Sequence, residues 1–150
     1  MKKSAGLLMY RRAGGALQVL LAHPGGPFWR AKDDGAWTIP KGEYEEPEEP
    51  LDAARREFTE ETGFEATGPF IPLGEVIQKS GKHILAWAFA RECDPARLRC
   101  NSFEMEWPPR SGRRQSYPEI DRVEWFTLGD AGRKIIPAQM PLIERLARSA

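Results

Sequence analysis

The segment from Pro50 to Thr62 has the clearest helical pattern in the chain, and strand-like runs lie on both sides of it. A proline suits the first turn of a helix, and Gly63 suits the left-handed residue that ends one. Leu51, Ala54 and Phe58 fall on one face of this helix, where they can pack against a sheet. The pattern therefore constrains the chain to an α+β fold in which a helix covers a sheet.

Short apolar runs predict the strands of that sheet. AGLLMY and LQVLLAH are separated by Gly14 and Gly15, which accept the positive φ angles of a tight hairpin turn. Further strand-like runs are FIPLGEVIQ, HILAWAFA, SFEMEW and DRVEWF. These runs predict a hairpin at the start of the chain and additional strands after the helix.

The remaining segments predict loops and short helices. The stretch from His23 to Pro50 is dense in Gly, Pro and Asp, and predicts a long loop of the kind that is often functional. WPPRSGRRQ, which follows SFEMEW, predicts a second loop. Residues 128–147 predict two short helices divided by Pro137.

Size and charge limit what the chain can do. At 150 residues it has a common domain length, so we expect residues 1–150 to form a single domain. Its 22 Lys and Arg residues balance 22 Asp and Glu residues, giving a formal net charge of zero. A broad nucleic-acid surface is therefore disfavoured, because such a surface is strongly basic.

The sequence also bears on where the protein works. Cys93 and Cys100 lack the spacing of a metal site, and we expect both to remain reduced thiols. The start of the chain has too short an apolar patch for a signal peptide. The longest apolar run, ILAWAFA, is far below the ~20 residues that span a bilayer. We therefore expect a cytoplasmic protein without a membrane partner.

Three carboxylates, on Glu57, Glu60 and Glu61, share one face of the predicted helix. Fully exposed, such like-charge pairs cost only a few tenths of a kcal/mol each, so solvated surface acids are one interpretation. In a partly desolvated cleft the same carboxylates would repel strongly unless a cation lay among them. Oxygen ligands of this kind favour Mg²⁺ or Mn²⁺. The cluster alone leaves both interpretations open.

The spacing around these acids is more specific. Gly42 is followed by five residues and Glu48, then by seven residues and REFTEETGF, which spans residues 56–64. This pattern resembles the signature of the Nudix hydrolase family, G-x5-E-x7-R-E-U-x-E-E-x-G-U, where U is a bulky apolar residue. Every specified position matches. The resemblance favours the metal-site interpretation of the three acids over the solvated surface.

The resemblance implies the Nudix fold, an α/β/α sandwich around a mixed β-sheet. It also implies an Mg²⁺- or Mn²⁺-dependent pyrophosphohydrolase, in which water attacks phosphorus in a diphosphate linked to another moiety. Arg56 and Glu48 would act in support by fixing the loop and its acids, and one of the acids would serve as general base. The metal ligands that the resemblance implies are Gly42 through its carbonyl, Glu57, Glu60 and Glu61.

The flanking sequences resemble one subgroup of the family. WTIPKG, just before the motif, and PEIDRVEWF are similar to enzymes that cleave dinucleoside polyphosphates or diphosphoinositol polyphosphates. In that subgroup a glutamate shortly before a tryptophan-bearing strand supplies another metal ligand or the base. Glu119 is therefore the candidate outside the motif. Glu104 and Glu106 compete with it, although a solvated strand face is the favoured explanation for these two glutamates.

Substrate-binding residues are less constrained by the sequence. Lys41 adjoins Gly42 and is a candidate for contacting phosphate, while a solubilising loop accounts for the arginines of WPPRSGRRQ equally well. Aromatic residues such as Trp29 are candidates for base stacking, although packing is the favoured explanation for any one of them. The predicted substrate-binding residues are Lys41, Tyr44, Arg110, Arg113 and Arg114.

These observations favour a small-molecule nucleotide substrate, most simply a dinucleoside polyphosphate or a nucleoside triphosphate. The alternatives are a nucleotide sugar, the 5′ end of RNA, or a non-catalytic Nudix module that senses a nucleotide. Loss of motif glutamates would mark such a module, and none is lost here. The oligomeric state is left open by the sequence.

Overall fold

A computed structural model describes residues 2–150 of the chain. Two short 3₁₀ turns, Pro95–Arg97 and Pro137–Gln139, accompany the regular elements. The strands are β1 (Lys3–Ala13), β2 (Ala16–Pro24), β3 (Lys41–Glu43), β4 (Ile71–Ile77), β5 (His83–Ala90), β6 (Ser102–Glu106), β7 (Arg114–Pro118) and β8 (Ile120–Thr127). The helices are α1 (Pro50–Thr62), α2 (Leu128–Lys134) and α3 (Met140–Ser149).

The main sheet is mixed and has the order β4-β5-β1-β2-β8. β1 runs parallel to β5, whereas its pairings with β2 and β3 are antiparallel. β2 pairs with one end of β1, where Tyr10 lies opposite Val19, and β3 pairs with the other end, where Ala5 lies opposite Gly42. Residues 38–40 accept hydrogen bonds from Leu7 of β1 and Ala22 of β2, so the segment leading to Gly42 lies between these two strands.

Helices cover both faces of this sheet, as the alternation of side chains along its strands requires. Leu7 and Met9 of β1 point towards α1, where they meet Phe58. Leu8, between them in sequence, points to the other face and belongs to the cluster that contains Leu142 of α3. The predicted α/β/α sandwich around a mixed sheet is thus confirmed.

Helix α1 has the predicted bounds. Pro50 occupies its first turn, and Gly63 ends it with φ 77°, while the Gly63 N–H donates to the carbonyl of Thr59 at 2.8 Å. Its inner face is fully buried and includes Ala54 and Phe58. Truncating an aromatic side chain as buried as Phe58 costs about 3–5 kcal/mol. This packing holds the acidic face of α1 at a fixed position over the sheet.

Two loop predictions need correction. The stretch from His23 to Pro50 is not an unbroken loop, because residues 41–43 form β3. The loop predicted after SFEMEW ends before Arg114, where β7 begins. Neither strand has an alternating apolar pattern in its sequence. β3 is only three residues long, and β7 is a polar strand that pairs with β6 in a separate two-stranded sheet. Both are defined by backbone pairing to distant segments, which periodicity does not reveal.

The loop between β2 and β3 is tied to the sheet by polar contacts. His23 is fully buried, with its Nε2 2.6 Å from the Lys32 carbonyl and its Nδ1 2.8 Å from Asp121 Oδ1. Trp37 Nε1 donates to Asp33 Oδ1 at 2.8 Å. These bonds give a long irregular segment a defined path. Among residues 2–150, no helix has the length and apolar character needed to cross a membrane.

Candidate metal and active site

Gly42 and Glu57 are brought into direct contact by the pairing of β3 and the packing of α1. A Cβ atom added to Gly42 would lie 1.9 Å from Cδ of Glu57, far inside van der Waals contact. Only glycine leaves room for the Glu57 carboxyl group at this point. The backbone of β3 and the carboxyl group of Glu57 therefore form one surface.

Arg56 gathers three of the motif carboxylates around one guanidinium. Its Nε and one terminal nitrogen donate to both oxygens of Glu48 at 2.9 Å, a bidentate pair. The other terminal nitrogen donates to Glu57 Oε1 at 2.8 Å and to Glu60 Oε2 at 3.3 Å. The bond from Arg56 lowers the pKa of Glu48. Arg56 thus connects the loop before α1 to the acidic face of the helix.

Glu61 lies deeper in the structure than the other acids of α1. Its Oε2 accepts a hydrogen bond from the backbone N–H of Lys41 at 2.8 Å. Burial raises the pKa of Glu61 to about 8, and the negative charges of Glu119 and Glu57 act in the same direction. The pKa of the Lys41 side chain is lowered, chiefly by burial. A partly desolvated acid and a partly desolvated lysine therefore stand side by side.

Glu119 reaches the same region from the junction between β7 and β8. Its N–H donates to the Asn101 carbonyl, and its carbonyl accepts from the Gly25 N–H, both at 2.9 Å. Partial burial, followed by the charges on Glu57 and Glu60, raises the pKa of Glu119. These backbone bonds orient an acid that is 58 residues beyond Glu61 in the sequence towards the acidic face of α1.

The two competitors of Glu119 lie on the hairpin formed by β6 and β7, and both are exposed. The carboxylate of Glu106 accepts hydrogen bonds from the backbone N–H groups of Arg110 and Gly112, at 2.8 and 3.1 Å. Glu106 therefore closes the tip of the hairpin. Glu104 has the exposed position expected of a solvated strand face.

A cavity of about 350 Å³ adjoins the acids. Lys41, Glu61 and Glu119 all line it, so residues from three separate parts of the chain meet at one opening. Trp29 and Ile136 contribute apolar wall. This combination of a few charged groups with apolar surface is typical of small-molecule sites.

The donor set fits a hard divalent cation. The candidate ligands are all oxygen atoms, and the raised pKa values of Glu61 and Glu119, caused first by burial and then by neighbouring carboxylates, indicate acids whose charged form a cation would stabilise. Within residues 2–150, no three His, Cys, Asp or Glu side chains already surround one point closely enough to hold an ion. Arg56 instead bonds to one carboxylate oxygen of Glu57 and to one of Glu60.

The structure does not bring all predicted substrate-binding residues together. Lys41 lines the cavity, but Tyr44 lies in a separate cleft beside Glu45 and Glu49. Partial burial raises the pKa of Tyr44. The predicted arginines, which sit at the exposed tip of the β6–β7 hairpin away from the cavity, are Arg110, Arg113 and Arg114.

The hairpin is nevertheless in contact with the loop that bounds the cavity. The rings of Trp107 and Phe28 meet edge to face with centroids 5.5 Å apart. Gly26 lies against the ring of Phe103, where an added Cβ would be 3.0 Å from the nearest ring carbon. Because Trp29 follows Phe28 and lines the cavity, the hairpin, the loop and the cavity form a continuous surface.

Sequence reasoning missed one residue of the cavity wall and the residue that lies behind it. Gln78 lines the cavity, and the fully buried Gln139 stands behind it, joined to it by a hydrogen bond of 3.0 Å. Thr38 bonds to Gln139 as well. No local pattern indicates this network, because its members are 61 and 101 residues apart in the chain.

The sequence matches the NUDIX domain family over residues 1–146. The chain belongs to this family. An RNA pyrophosphohydrolase from Rhizobium meliloti (strain 1021) is 28% identical to this Nudix chain over 116 residues. That alignment covers 67% of this chain and 64% of the relative, so the chain spans less than two thirds of the curated relative's length.

Solved structures share the Nudix fold. A binary complex of the Caenorhabditis elegans (C. elegans) Ap4A hydrolase superposes with a TM-score of 0.68 at 21% identity, covering 99% of this chain and 97% of that one. The NUDIX domain of Shewanella oneidensis NrtR, complexed with ADP ribose, gives a TM-score of 0.67 at 16% identity. It covers 98% of this chain and 86% of that one. At these identities the likeness concerns the fold.

Proposed function

We propose that this Nudix chain is a divalent-metal-dependent pyrophosphohydrolase that cleaves a nucleoside diphosphate linked to another moiety. Dinucleoside polyphosphates and nucleoside triphosphates are the first candidates for its substrate. The observation that carries the proposal is the meeting of Glu61, Glu119 and Lys41 around one cavity beside Gly42 and Glu57. Surface acids without a function would not converge from separate segments into a partly buried site.

The residues of the proposed site have separate roles in metal binding and proton transfer. Glu57, Glu60, Glu61 and Glu119, with the Gly42 carbonyl, would hold Mg²⁺ or Mn²⁺. A bound ion neutralises phosphate charge and makes a water molecule more acidic. One of the four carboxylates accepts the proton of that water.

Two basic residues support this arrangement. Lys41 faces the cavity and contacts the phosphate chain of the substrate. Arg56 and Glu48 position the acids, because their bidentate pair fixes the loop that precedes α1. We propose that residues 1–150 carry out this reaction as a single domain. A cytoplasmic location is part of the proposal and is supported by the unpaired cysteines Cys93 and Cys100.

Removal of pyrophosphate from an RNA 5′ end is the second candidate function. The Rhizobium relative carries that name. Within residues 2–150, no ion pair engages the guanidinium groups at the hairpin tip, which leaves them available to a phosphate backbone. The zero net charge of the chain favours the small nucleotide instead. The arginines concerned are Arg110, Arg113 and Arg114.

A substrate panel with identified products tests the proposal. It comprises a bis-nucleoside tetraphosphate, nucleoside triphosphates, ADP ribose, a diphosphoinositol phosphate and a 5′-triphosphorylated RNA, each with Mg²⁺ or Mn²⁺. Metal-dependent release of a nucleotide or of inorganic pyrophosphate is expected with at least one of them. A nucleotide-sensing module would bind a nucleotide without cleaving any. Glu60→Gln and Glu61→Gln should abolish turnover in the enzyme and change nothing in the rate of a non-catalytic module.

A further inference from the structure

Gln139 makes hydrogen bonds that fix the orientation of its side-chain amide. The amide is fully buried, and its Oε1 accepts from the backbone N–H of Ile39 at 3.0 Å. A backbone N–H only donates, so the amide atom that faces Ile39 has to be the oxygen. The Gln139 nitrogen therefore points the other way, where it donates to Thr38 Oγ1 at 2.8 Å and to Gln78 Oε1 at 3.0 Å.

The same reasoning then fixes Gln78. Because Gln139 presents N–H to it, Gln78 must turn its own oxygen towards Gln139. Gln78 is half-buried and lines the cavity, and among residues 2–150 its side chain takes part in one hydrogen bond, as the acceptor from Gln139, which leaves its amino group free to donate. The backbone of Ile39 thus determines, through two glutamines, that the cavity wall offers a hydrogen-bond donor at this point.

The rest of the cavity suits a flat, largely apolar group. Trp29, Ile39 and Ile136 supply apolar wall, and a volume of about 350 Å³ accommodates a nucleobase with part of its sugar. Glu61 and Glu119 line the same cavity, so a base held there has its phosphates within reach of the acids. Burial behind Gln78 holds the donor in place before any ligand binds.

We propose that Gln78 is a specificity-determining residue that donates a hydrogen bond to a carbonyl oxygen on the nucleobase of the substrate, and that Gln139 is its positioning residue. The proposal rests on the function proposed above. A carbonyl oxygen accepts a hydrogen bond from the Gln78 amino group. An exocyclic amino group at the same point cannot, because both groups are donors. A base that presents the 6-position of a purine or the 4-position of a pyrimidine to Gln78 is therefore preferred as guanine over adenine, and as uracil over cytosine.

The test is Gln78→Glu. The carboxylate still accepts from Gln139, but it offers an acceptor to the cavity where the wild type offers a donor. The ratio of kcat/KM for GTP to that for ATP should be above one in the wild type and should fall at least about tenfold in the variant. UTP and CTP should behave in the same way. Both members of each pair carry the same triphosphate, so the ratio cancels any defect in the metal site.

Gln139→Glu tests the positioning role from a residue behind the cavity wall. A carboxylate at position 139 still accepts from Ile39 and makes Gln78 turn its amino group inward. The Gln78 oxygen then faces the cavity, and the GTP to ATP ratio should shift towards ATP as it does in Gln78→Glu. A merely structural role for Gln139 would lower both rates and leave their ratio unchanged, which would overturn this part of the proposal.

Gln18→Glu is the matched control. It makes the same chemical change in β2, where Gln18 bonds to Arg11 outside the cavity, and it should leave the ratio unchanged. Calorimetric titration with GMP and AMP gives a second readout that needs no turnover. If the wild type cleaves nucleotides but Gln78→Glu alters neither the ratio nor the GMP affinity, the role of Gln78 is refuted while the hydrolase function stands. If the wild type binds GMP more tightly than AMP but cleaves no nucleotide, the hydrolase function is refuted and the role of Gln78 in base recognition stands.

Discussion

The Gly42–Phe64 segment and the β6–β7 hairpin meet near Glu119, but they are held in the molecule by different forces. The first belongs to the main sheet through β3, buries Phe58 completely, and binds Arg56 to three carboxylates. The hairpin strands pair only with each other within the part of the chain that the structure describes. Aromatic contacts, such as Trp107 with Phe28, attach the hairpin to the rest of the protein.

This difference separates two requirements of a hydrolase site. Reacting groups need positions fixed to within a fraction of an ångström, which dense packing and multiple hydrogen bonds provide. Contacts with the distant part of a substrate tolerate looser positions, and an exposed hairpin can vary in sequence without disturbing the core. We therefore expect changes in the motif segment to affect the rate of the reaction, and changes in the hairpin to affect substrate affinity.

The largest effect is expected for Glu61→Gln. The substitution removes a partly buried carboxyl group that we propose as a metal ligand, so kcat should fall by two or more orders of magnitude. Titration calorimetry should also show weaker Mn²⁺ binding. Glu104→Gln, an exposed acid on the hairpin, serves as the control and should retain the wild-type rate. An equal loss of kcat in Glu61→Gln and Glu104→Gln would contradict the view that the motif segment, and not the hairpin, carries the reacting groups.

Gly42→Ala is expected to come next. Its Cβ would lie 1.9 Å from Cδ of Glu57 and must displace that carboxyl group, and a displacement of about 1 Å at a reacting centre costs on the order of a hundredfold in rate. The control is Gly129→Ala in α2, where an added Cβ has nothing within 4 Å. That variant should be fully active. A fully active Gly42→Ala would show that the Glu57 position is not critical.

Removing the hairpin arginines should have a moderate effect that depends on substrate length. β6 and β7 have five residues each, so the tip lies roughly 16 Å from the hairpin base near Glu119. Arg113→Ala combined with Arg110→Ala should raise KM about tenfold for a triphosphorylated RNA, and much less for a nucleoside triphosphate. The loss should diminish as salt is added.

The matched control for that experiment is Arg148→Ala, which removes an exposed charge from the end of α3. It should leave both KM values unchanged. A fall in kcat with unchanged KM in the hairpin variant would contradict the assignment, because it would place the arginines in the chemical step. Identical effects on short and long substrates would show that the arginines do not read the distal part of the ligand.

The sequence predicted the motif segment far better than the hairpin. The bounds of α1 follow from Pro50, Gly63 and an apolar stripe, because helix signals are local. The contact of Gly42 with Glu57 also depends on a spacing within one short segment. β7 could not be predicted in this way, since its polar residues have no apolar alternation and its pairing with β6 spans a turn of irregular sequence.

The cavity wall was the least predictable part. Glu119 came from a family resemblance in its flanking residues, and only the structure places it beside Glu61. Gln78 and Gln139 have ordinary sequence surroundings, and their pairing requires the end of β4 to meet the turn before α3. Interactions between residues so far apart in sequence depend on the completed fold.

The smallest effect concerns stability and its dependence on pH. Arg56 lowers the pKa of Glu48 below its usual 4.5, and a group with a lowered folded-state pKa stabilises the protein above the unfolded-state value. That contribution is lost as the pH falls through the folded-state pKa. Glu48→Gln should therefore lower the unfolding temperature by a few degrees at about pH 7, and the difference should be smaller at an acid pH below the usual 4.5.

Phe28→Ala provides the contrasting measurement in the other region. It removes the aromatic contact with Trp107, which carries no titrating charge, so its effect on the unfolding temperature should be the same at both pH values. The two profiles together test whether ion pairs hold the motif segment and apolar contacts hold the hairpin. A pH-independent loss in Glu48→Gln would mean that the Glu48–Arg56 pair contributes through packing and not through its charge.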